Sequence, residues 1–337
     1  MKILISASSM VHINNFHKPY IEEFKKRGNE TLILSSGEGA DFNVPFRKSI
    51  FSLKNLVLLS KIRKILKKEK FDVVYLHTSL SAFLVRLAMK GMKNRPYVIN
   101  TVHGYLFSKE TSKFKRAIYL FCERLVKKQT DDIVTMNSED YEIATKNKLC
   151  KNKVFSCNGM GVILPSLSEI QKTTSDKTRL VFVGEISKRK NQAFLVKALK
   201  NLPHCTLTLV GDGRERKAIE TLAKKLNVFN QLTITGFTKN IYYYLMNSDI
   251  YVCASKIEGL PFNIMEAMHA GLPIVASDIK GNSDLLPDEC LYKLNDEEAY
   301  VNAIAKARKQ EFSLDRYKLE RVLEENMKIY TEFMDLE

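Results

Sequence analysis

An α/β fold of two domains, each a parallel sheet covered by helices on both faces, is what this 337-residue sequence predicts. Three observations carry the prediction. Short apolar, strand-like runs alternate with amphipathic helical stretches through residues 2–137. The alternation restarts at 180, after a polar and aperiodic stretch at 165–178 (PSLSEIQKTTSDKT) that reads as a linker. Hydrophobic residues make up 45% of the chain, enough for a core in each half.

The elements follow in order. Residues 2–7 form an uninterrupted apolar strand, of the kind that suits a strand buried on both faces. Residues 14–27 are amphipathic and helical, 31–35 a second strand, and 54–69 a basic helix. Then come a strand at 72–77, a helix at 80–92, a strand at 97–102, a second basic helix at 113–129 and a strand at 132–137. In the second half, strands are expected at 180–183, 205–210, 232–235, 250–253 and 274–277. Helices at 191–200, 214–227, 239–247 and 261–270 alternate with them, and 296–309 and 315–334 are helical as well.

Composition narrows the function. Six cysteines, at 122, 150, 157, 205, 253 and 290, form no C-x-x-C and no zinc spacing with the six histidines. They read as thiols of a reducing compartment. Residues 1–7 begin a strand rather than a signal peptide, and no apolar run reaches the roughly 18 residues of a membrane span. A cytoplasmic protein is expected. Net charge is +15, and all of the excess lies in residues 1–164, with 29 basic and 14 acidic residues against 24 of each in 165–337. That asymmetry points to a polyanionic partner for the first half alone.

Residues 258–277, EGLPFNIMEAMHAGLPIVAS, are the most informative stretch. Glu258 precedes a helix N-terminus, and Glu266 lies about one turn inside the helix. The first amides of a helix lack intrahelical partners and carry the positive end of its dipole, so they suit an anion. Pro261 fits the first helical position, and Gly259 permits close backbone approach. A diphosphate could rest on the Gly259, Leu260, Pro261, Phe262, Asn263 and Ile264 segment, with Glu258 reaching hydroxyls on one side and Glu266 a vicinal diol on the other. A sugar nucleotide has that layout. Glu266 sits among Met265, Ala267, Met268 and Ala270, a poor solvent-facing helix, so its carboxylate needs a partner.

The segment resembles the nucleotide-sugar motif of the retaining glycosyltransferases of family 4: two glutamates separated by seven residues, within EG-P-----EAMA-G-P(V/I)-AS. His269 stands where that family more often has a small residue. The resemblance implies the GT-B fold, two Rossmann-like domains facing across a cleft. It implies an acceptor domain at 1–164, the linker 165–178, a nucleotide-sugar domain at 179–314 and a last helix, within 315–337, that crosses back onto the first domain. It places Glu258 by the donor sugar and Glu266 on the nucleotide ribose.

Further donor contacts fall at strand ends, where α/β sheets bind ligands. Gly184 ends one strand and is followed by Lys188, Arg189 and Lys190 before a helix. Lys190 matches the family's lysine, whereas Glu185 occupies the position of its arginine, leaving Lys188 or Arg189 to supply the second cation. Gly211 and Gly236 end two more strands. In the first half, the resemblance places His103 of the His103-Gly104 pair by the donor sugar near the reacting carbon, and His77, also at a strand end, is a weaker candidate. The loop 8–17 lacks the family's glycine pair and, with His17-Lys18-Pro19-Tyr20, resembles the exopolysaccharide and capsule subgroup.

Basic residues interleave with apolar ones in both basic helices, which read as membrane-surface elements. Lys61, Lys64, Lys67 and Lys68 belong to the first, and Lys113, Lys115 and Arg116 to the second. With retention implied by the resemblance, the expected activity is a transferase moving a hexose or N-acetylhexosamine from a UDP-sugar to a lipid-diphosphate-linked saccharide in surface polysaccharide assembly. It is expected to hold peripherally to an anionic inner membrane face, without metal, cofactor or nucleic acid. A nonhydrolysing sugar-nucleotide epimerase of related fold is the nearer rival. A nucleic-acid-binding protein leaves the neutral half unexplained. A dehydrogenase lacks its G-x-G-x-x-G.

Overall fold

The computed structural model describes residues 1–47, 52–167 and 175–336. The chain divides into two compact units, Met1–Gly161 with Arg316–Glu337, and Val162–Asp315. Residues 168–174 of the predicted linker lie outside the described residues.

In the first unit the strands are β1 (Lys2–Ser6), β2 (Glu30–Ser35), β3 (Phe42–Asn43), β4 (Val73–His77), β5 (Tyr97–Val102), β6 (Asp132–Thr135) and β7 (Val154–Ser156). They pair in parallel in the order β3-β2-β1-β4-β5-β6-β7. Every residue of β4 and β6 is buried, which explains why these strands read as continuous apolar runs rather than alternating ones. The helices are α1 (Met10–Phe16), α2 (Lys18–Lys26), α3 (Leu53–Glu69), α4 (Ser79–Met89), α5 (Lys113–Val126) and α6 (Ser138–Lys146). Helix α4 packs against both α3 and α5. The α4–α5 contact encloses Arg86, whose guanidinium meets Glu123 at 3.0 Å and donates to Thr130 Oγ1 at 3.1 Å. A buried cation of this kind persists only because its partners are all in place.

The first unit differs locally from the sequence expectation. The helix expected at 14–27 is two helices, and α1 starts at Met10, inside the stretch read as a loop. Ser9 caps α1, its side chain accepting from the His12 amide. The chain turns at His17 because Pro19, in the first turn of α2, cannot donate to a preceding helix and crowds it. The short edge strands β3 and β7 carry too few residues for periodicity to reveal them. Helix α6 was not anticipated either, although Asn137 caps it by accepting from the Asp140 amide.

The second unit holds β8 (Thr178–Val183), β9 (Cys205–Val210), β10 (Leu232–Gly236), β11 (Ile250–Cys253), β12 (Ile274–Asp278) and β13 (Leu291–Lys293). They form a parallel sheet in the order β10-β9-β8-β11-β12-β13. Its helices are α7 (Gln192–Ala198), α8 (Arg216–Lys225), α9 (Ile241–Met246), α10 (Phe262–His269) and α11 (Glu297–Lys306). The last helix, α12 (Leu319–Thr331), belongs to the first unit. There Tyr330 packs against Tyr75 and Phe24, and Asn326 donates to Tyr20 Oη at 2.9 Å and to the Gly159 carbonyl at 2.8 Å. Gly161 admits this docking: a Cβ there would lie 2.6 Å from the Leu319 Cα.

In both sheets the order reverses between two central strands, β1 and β4 in the first and β8 and β11 in the second. The crevice outside the carboxyl ends at such a reversal is where open α/β sheets take their ligands.

Candidate active site

In the second unit, the loops that leave β8 and β11 meet at the reversal. The β11 loop carries Glu258, and the β8 loop carries Lys188, Arg189 and Lys190. Lys256 donates its amide to the Arg189 carbonyl at 2.9 Å, tying the loops together. Glu258 is buried, and it accepts from Lys190 Nζ at 2.6 Å and Arg189 Nη1 at 3.0 Å. Burial alone would raise this carboxyl. The Lys190 and Arg189 charges, with hydrogen bonds from Lys190 and Ser255, outweigh it and hold the group below its usual range. Lys190 is buried as well, whereas Lys188 and Glu185 are exposed. The two cations expected to face a diphosphate are thus joined to the first glutamate of the motif.

Helix α10 begins one residue later than expected. Pro261 is its N-cap, with φ −83° and ψ 95°, and not its first helical residue. The Pro261 carbonyl takes the amides of Ile264 at 3.1 Å and Met265 at 3.4 Å. Ile264 therefore leaves the set of amides expected to cradle an anion. Asn263 turns inward, its side chain donating to the Val183 carbonyl at 3.0 Å and to Tyr251 Oη at 2.6 Å. That bond fixes the start of α10 to the end of β8. Leu260 is buried beneath the turn.

Glu266 is half-buried on α10 and makes no hydrogen bond or ion pair among the described residues. Desolvation raises its carboxyl to about 7. Tyr242 lies near enough for that charge to act on it, and its buried hydroxyl has no hydrogen-bond partner among the described residues. A desolvated carboxylate beside an unpaired hydroxyl is an arrangement that an arriving hydroxylated ligand completes.

The strand-end glycines serve close backbone packing. A Cβ on Gly211 would lie 2.1 Å from the Gly184 carbonyl oxygen, and Gly211 and Gly236 form an antiparallel bridge. Gly281 belongs with them: a Cβ there would come within 2.6 Å of the Gly259 carbonyl oxygen. The loop after β12, which contains Gly281, thus lines the Glu258-Gly259 turn, and sequence reasoning missed it. Its signal was a glycine followed by polar residues, Gly281-Asn282-Ser283-Asp284, after a strand.

In the first unit, His103 follows β5 and lies 3.1 Å, Nε2 to Nδ1, from His77 at the end of β4. His17 lies against His77 in a tilted arrangement with ring centroids 3.8 Å apart, and His12 stands edge-on to His103 at 4.8 Å. All four rings are held below the usual histidine range, each first by burial. They are therefore neutral at pH 7. The sequence singled out His103 and His77 but gave His12 and His17 no chemical role.

The basic residues lie on helices of the same unit. On α3, Leu53, Val57, Lys61, Lys64 and Lys68 follow at spacings of three or four and are all exposed, and Lys67 is exposed beside them. On α5, Lys113, Phe114, Lys115 and Phe121 are exposed and Arg116 is half-buried. The apolar residues Leu53, Val57, Phe114 and Phe121 are 77%, 75%, 79% and 65% exposed.

Two family models match this chain: Glycosyl transferases group 1 over residues 166–328, and Glycosyl transferase 4-like over residues 2–137. The chain belongs to the group 1, family 4-like glycosyltransferases. EpsD of Bacillus subtilis strain 168, named as a glycosyltransferase, is 27% identical over 372 residues, covering 100% of this chain and 98% of its own. The UDP-Gal:alpha-D-GlcNAc-diphosphoundecaprenol alpha-1,3-galactosyltransferase of Escherichia coli is 28% identical over 329 residues, covering 90% of this chain and 85% of its own. Among solved structures, sucrose-phosphate synthase from Thermosynechococcus elongatus superposes with a TM-score of 0.78 at 16% identity, covering 100% of both chains. Anabaena HepE in complex with UDP and glucose does so at 0.69 and 17% identity, covering 98% of this chain and 100% of its own. The glycosyltransferase has the GT-B fold of these neighbours.

Proposed function

We propose that this glycosyltransferase transfers a hexose or N-acetylhexosamine, with retention, from a UDP-sugar to a lipid-diphosphate-linked saccharide at an anionic membrane surface. The single observation that carries the donor half is Glu266, a half-buried carboxylate without a partner, eight positions after a glutamate clamped by two cations. A ribose diol supplies the two donors that such a carboxylate needs. The α10 N-terminus then receives the diphosphate, and Arg189 and Lys190 stand beside it. These cations stabilise the leaving group as charge develops on it, and the diphosphate needs no bridging metal. The departing phosphate oxygen accepts the acceptor's proton on the same face of the sugar.

The acceptor half rests on the exposed apolar and basic faces of α3 and α5 and on the named substrate of the E. coli relative. No helix among the described residues is long and apolar enough to cross a membrane. Surface attachment through these faces brings the enzyme to a lipid-borne substrate.

Thermal unfolding with and without UDP tests the donor site. UDP is expected to raise the midpoint of wild type and to lose most of that effect in Glu266→Ala. Adding Mg²⁺ is expected to leave the UDP-dependent rise unchanged. Full protection of Glu266→Ala contradicts the ribose role, and protection that requires Mg²⁺ contradicts the metal-free diphosphate site.

A further inference from the structure

The first unit gathers more imidazole than a sugar subsite requires. His12 lies on α1, His17 between α1 and α2, His103 after β5 and His77 at the end of β4. One ring nitrogen from each of His12, His17 and His103 lies within 4.8 Å of the others. His17 is 1% exposed, and neither its Nδ1 nor its Nε2 has a hydrogen-bond partner among the described residues; His12 Nε2 has none either. A neutral imidazole carries one N–H and one lone pair, and burying both unpaired is costly. The cluster therefore presents unpaired ring nitrogens to a ligand.

We propose that His12, His17 and His103 form a binding site for a divalent transition metal of the zinc type, with a fourth coordination position open to solvent. Three nitrogen ligands without a carboxylate suit zinc, copper, iron or nickel rather than magnesium or calcium. His77 supplies the outer support: its bond to His103 Nε2 fixes that ring, as a second partner commonly fixes a metal-bound histidine. His12 and His103 are only half-buried, which gives the open position its access. Zinc–nitrogen bonds of about 2 Å place tetrahedral ligand atoms about 3.4 Å apart. Metal entry therefore draws the three rings together by roughly 1 Å, within reach of side-chain rotation.

Three neutral ligands leave the ion its full double charge, so the fourth position attracts an oxygen from a hydroxyl or a phosphate. On the acceptor reading above, that oxygen belongs to the acceptor. Metal binding itself does not depend on that reading, so its test is separate from the UDP experiment.

The full chain, stripped with a chelator and dialysed, is titrated with Zn²⁺ alone by calorimetry. The expected result is one equivalent per chain, with affinity weakened at least about tenfold in His12→Ala and in His17→Ala and less in His77→Gln. A thermal melt of each variant confirms that it is folded. Half-buried His12 is the safer position if His17→Ala does not fold. Co²⁺ added to wild type supplies a second readout, a visible spectrum of tetrahedral nitrogen coordination. Absence of a stoichiometric zinc site, unchanged affinity in folded His12→Ala, or a cobalt–thiolate charge-transfer band from the cysteines would each overturn the proposal.

Discussion

Glu258 and Glu266 are eight positions apart and occupy opposite electrostatic surroundings. Glu258 is enclosed by two cations and held ionised, whereas Glu266 is desolvated with no cation beside it, which lifts its carboxyl to about 7. A diol that donates to Glu266 favours the charged form. Affinity for UDP-glucose, whose diphosphate has no proton to lose in this range, is therefore expected to rise about tenfold between about pH 6 and pH 8. The same shift acts on folding. The folded carboxyl titrates above its unfolded value of 4.5, so the folded state keeps a proton that the unfolded chain has lost. Stability without ligand then falls as pH rises from 4.5 to about 7 and levels off above that. Glu266→Gln, neutral throughout, removes both slopes. Calorimetric titrations across pH check this, and an unchanged slope in Glu266→Gln refutes the assignment. The sequence exposed the two glutamates through their spacing and the apolar company of Glu266. It hid the pairing of Glu258 with Arg189 and Lys190, because those residues come together only when two loops 68 and 69 positions apart in the chain converge. The histidine cluster was hidden for the same reason, its members being drawn from α1, the turn between α1 and α2, the end of β4 and the residue after β5.

At the scale of elements, the central strands and most helices were legible, whereas α1, α6 and the short edge strands β3, β7 and β13 were not. Strands β4, β5 and β11 are buried nearly throughout, so each read as an apolar run. Helix α1 has seven residues and buries only Met10 and Ile13, too little to establish a helical period. Helix α3 is long, and its outer face changes character along its length, from Leu53 and Val57 to Lys61, Lys64 and Lys68. On the membrane reading proposed above, this face inserts its apolar end among lipids and sets its basic end on their headgroups. Each lysine near an anionic surface contributes about 1 kcal/mol. Reversing Lys61, Lys64, Lys67 and Lys68 to glutamate is therefore expected to weaken binding to phosphatidylserine-containing vesicles at least about 100-fold. Co-sedimentation measures this, and undiminished binding removes α3 from the membrane account.

For the whole molecule, charge and chemistry divide along the same line. Residues 1–164 hold the entire net charge of +15, and the described basic faces of α3 and α5 lie in the first unit. Residues 165–337, free of excess charge, carry the glutamate motif with its cation-clamped loop. The last helix is sequentially remote from the first unit yet completes its core through Asn326 and Tyr330. Periodicity could mark that helix but not its destination, because its buried face would fit any apolar surface. The central claim is transfer from a nucleotide sugar to a lipid-borne acceptor. It is tested most directly by incubating the wild-type enzyme with a panel of UDP-sugars and a lipid-diphosphate-linked saccharide, followed by mass spectrometry. The account predicts an acceptor heavier by one hexose or N-acetylhexosamine, with UDP released and the product lost in Glu266→Ala. Interconversion of UDP-sugars without acceptor, and no extension of the acceptor by any donor, would contradict it.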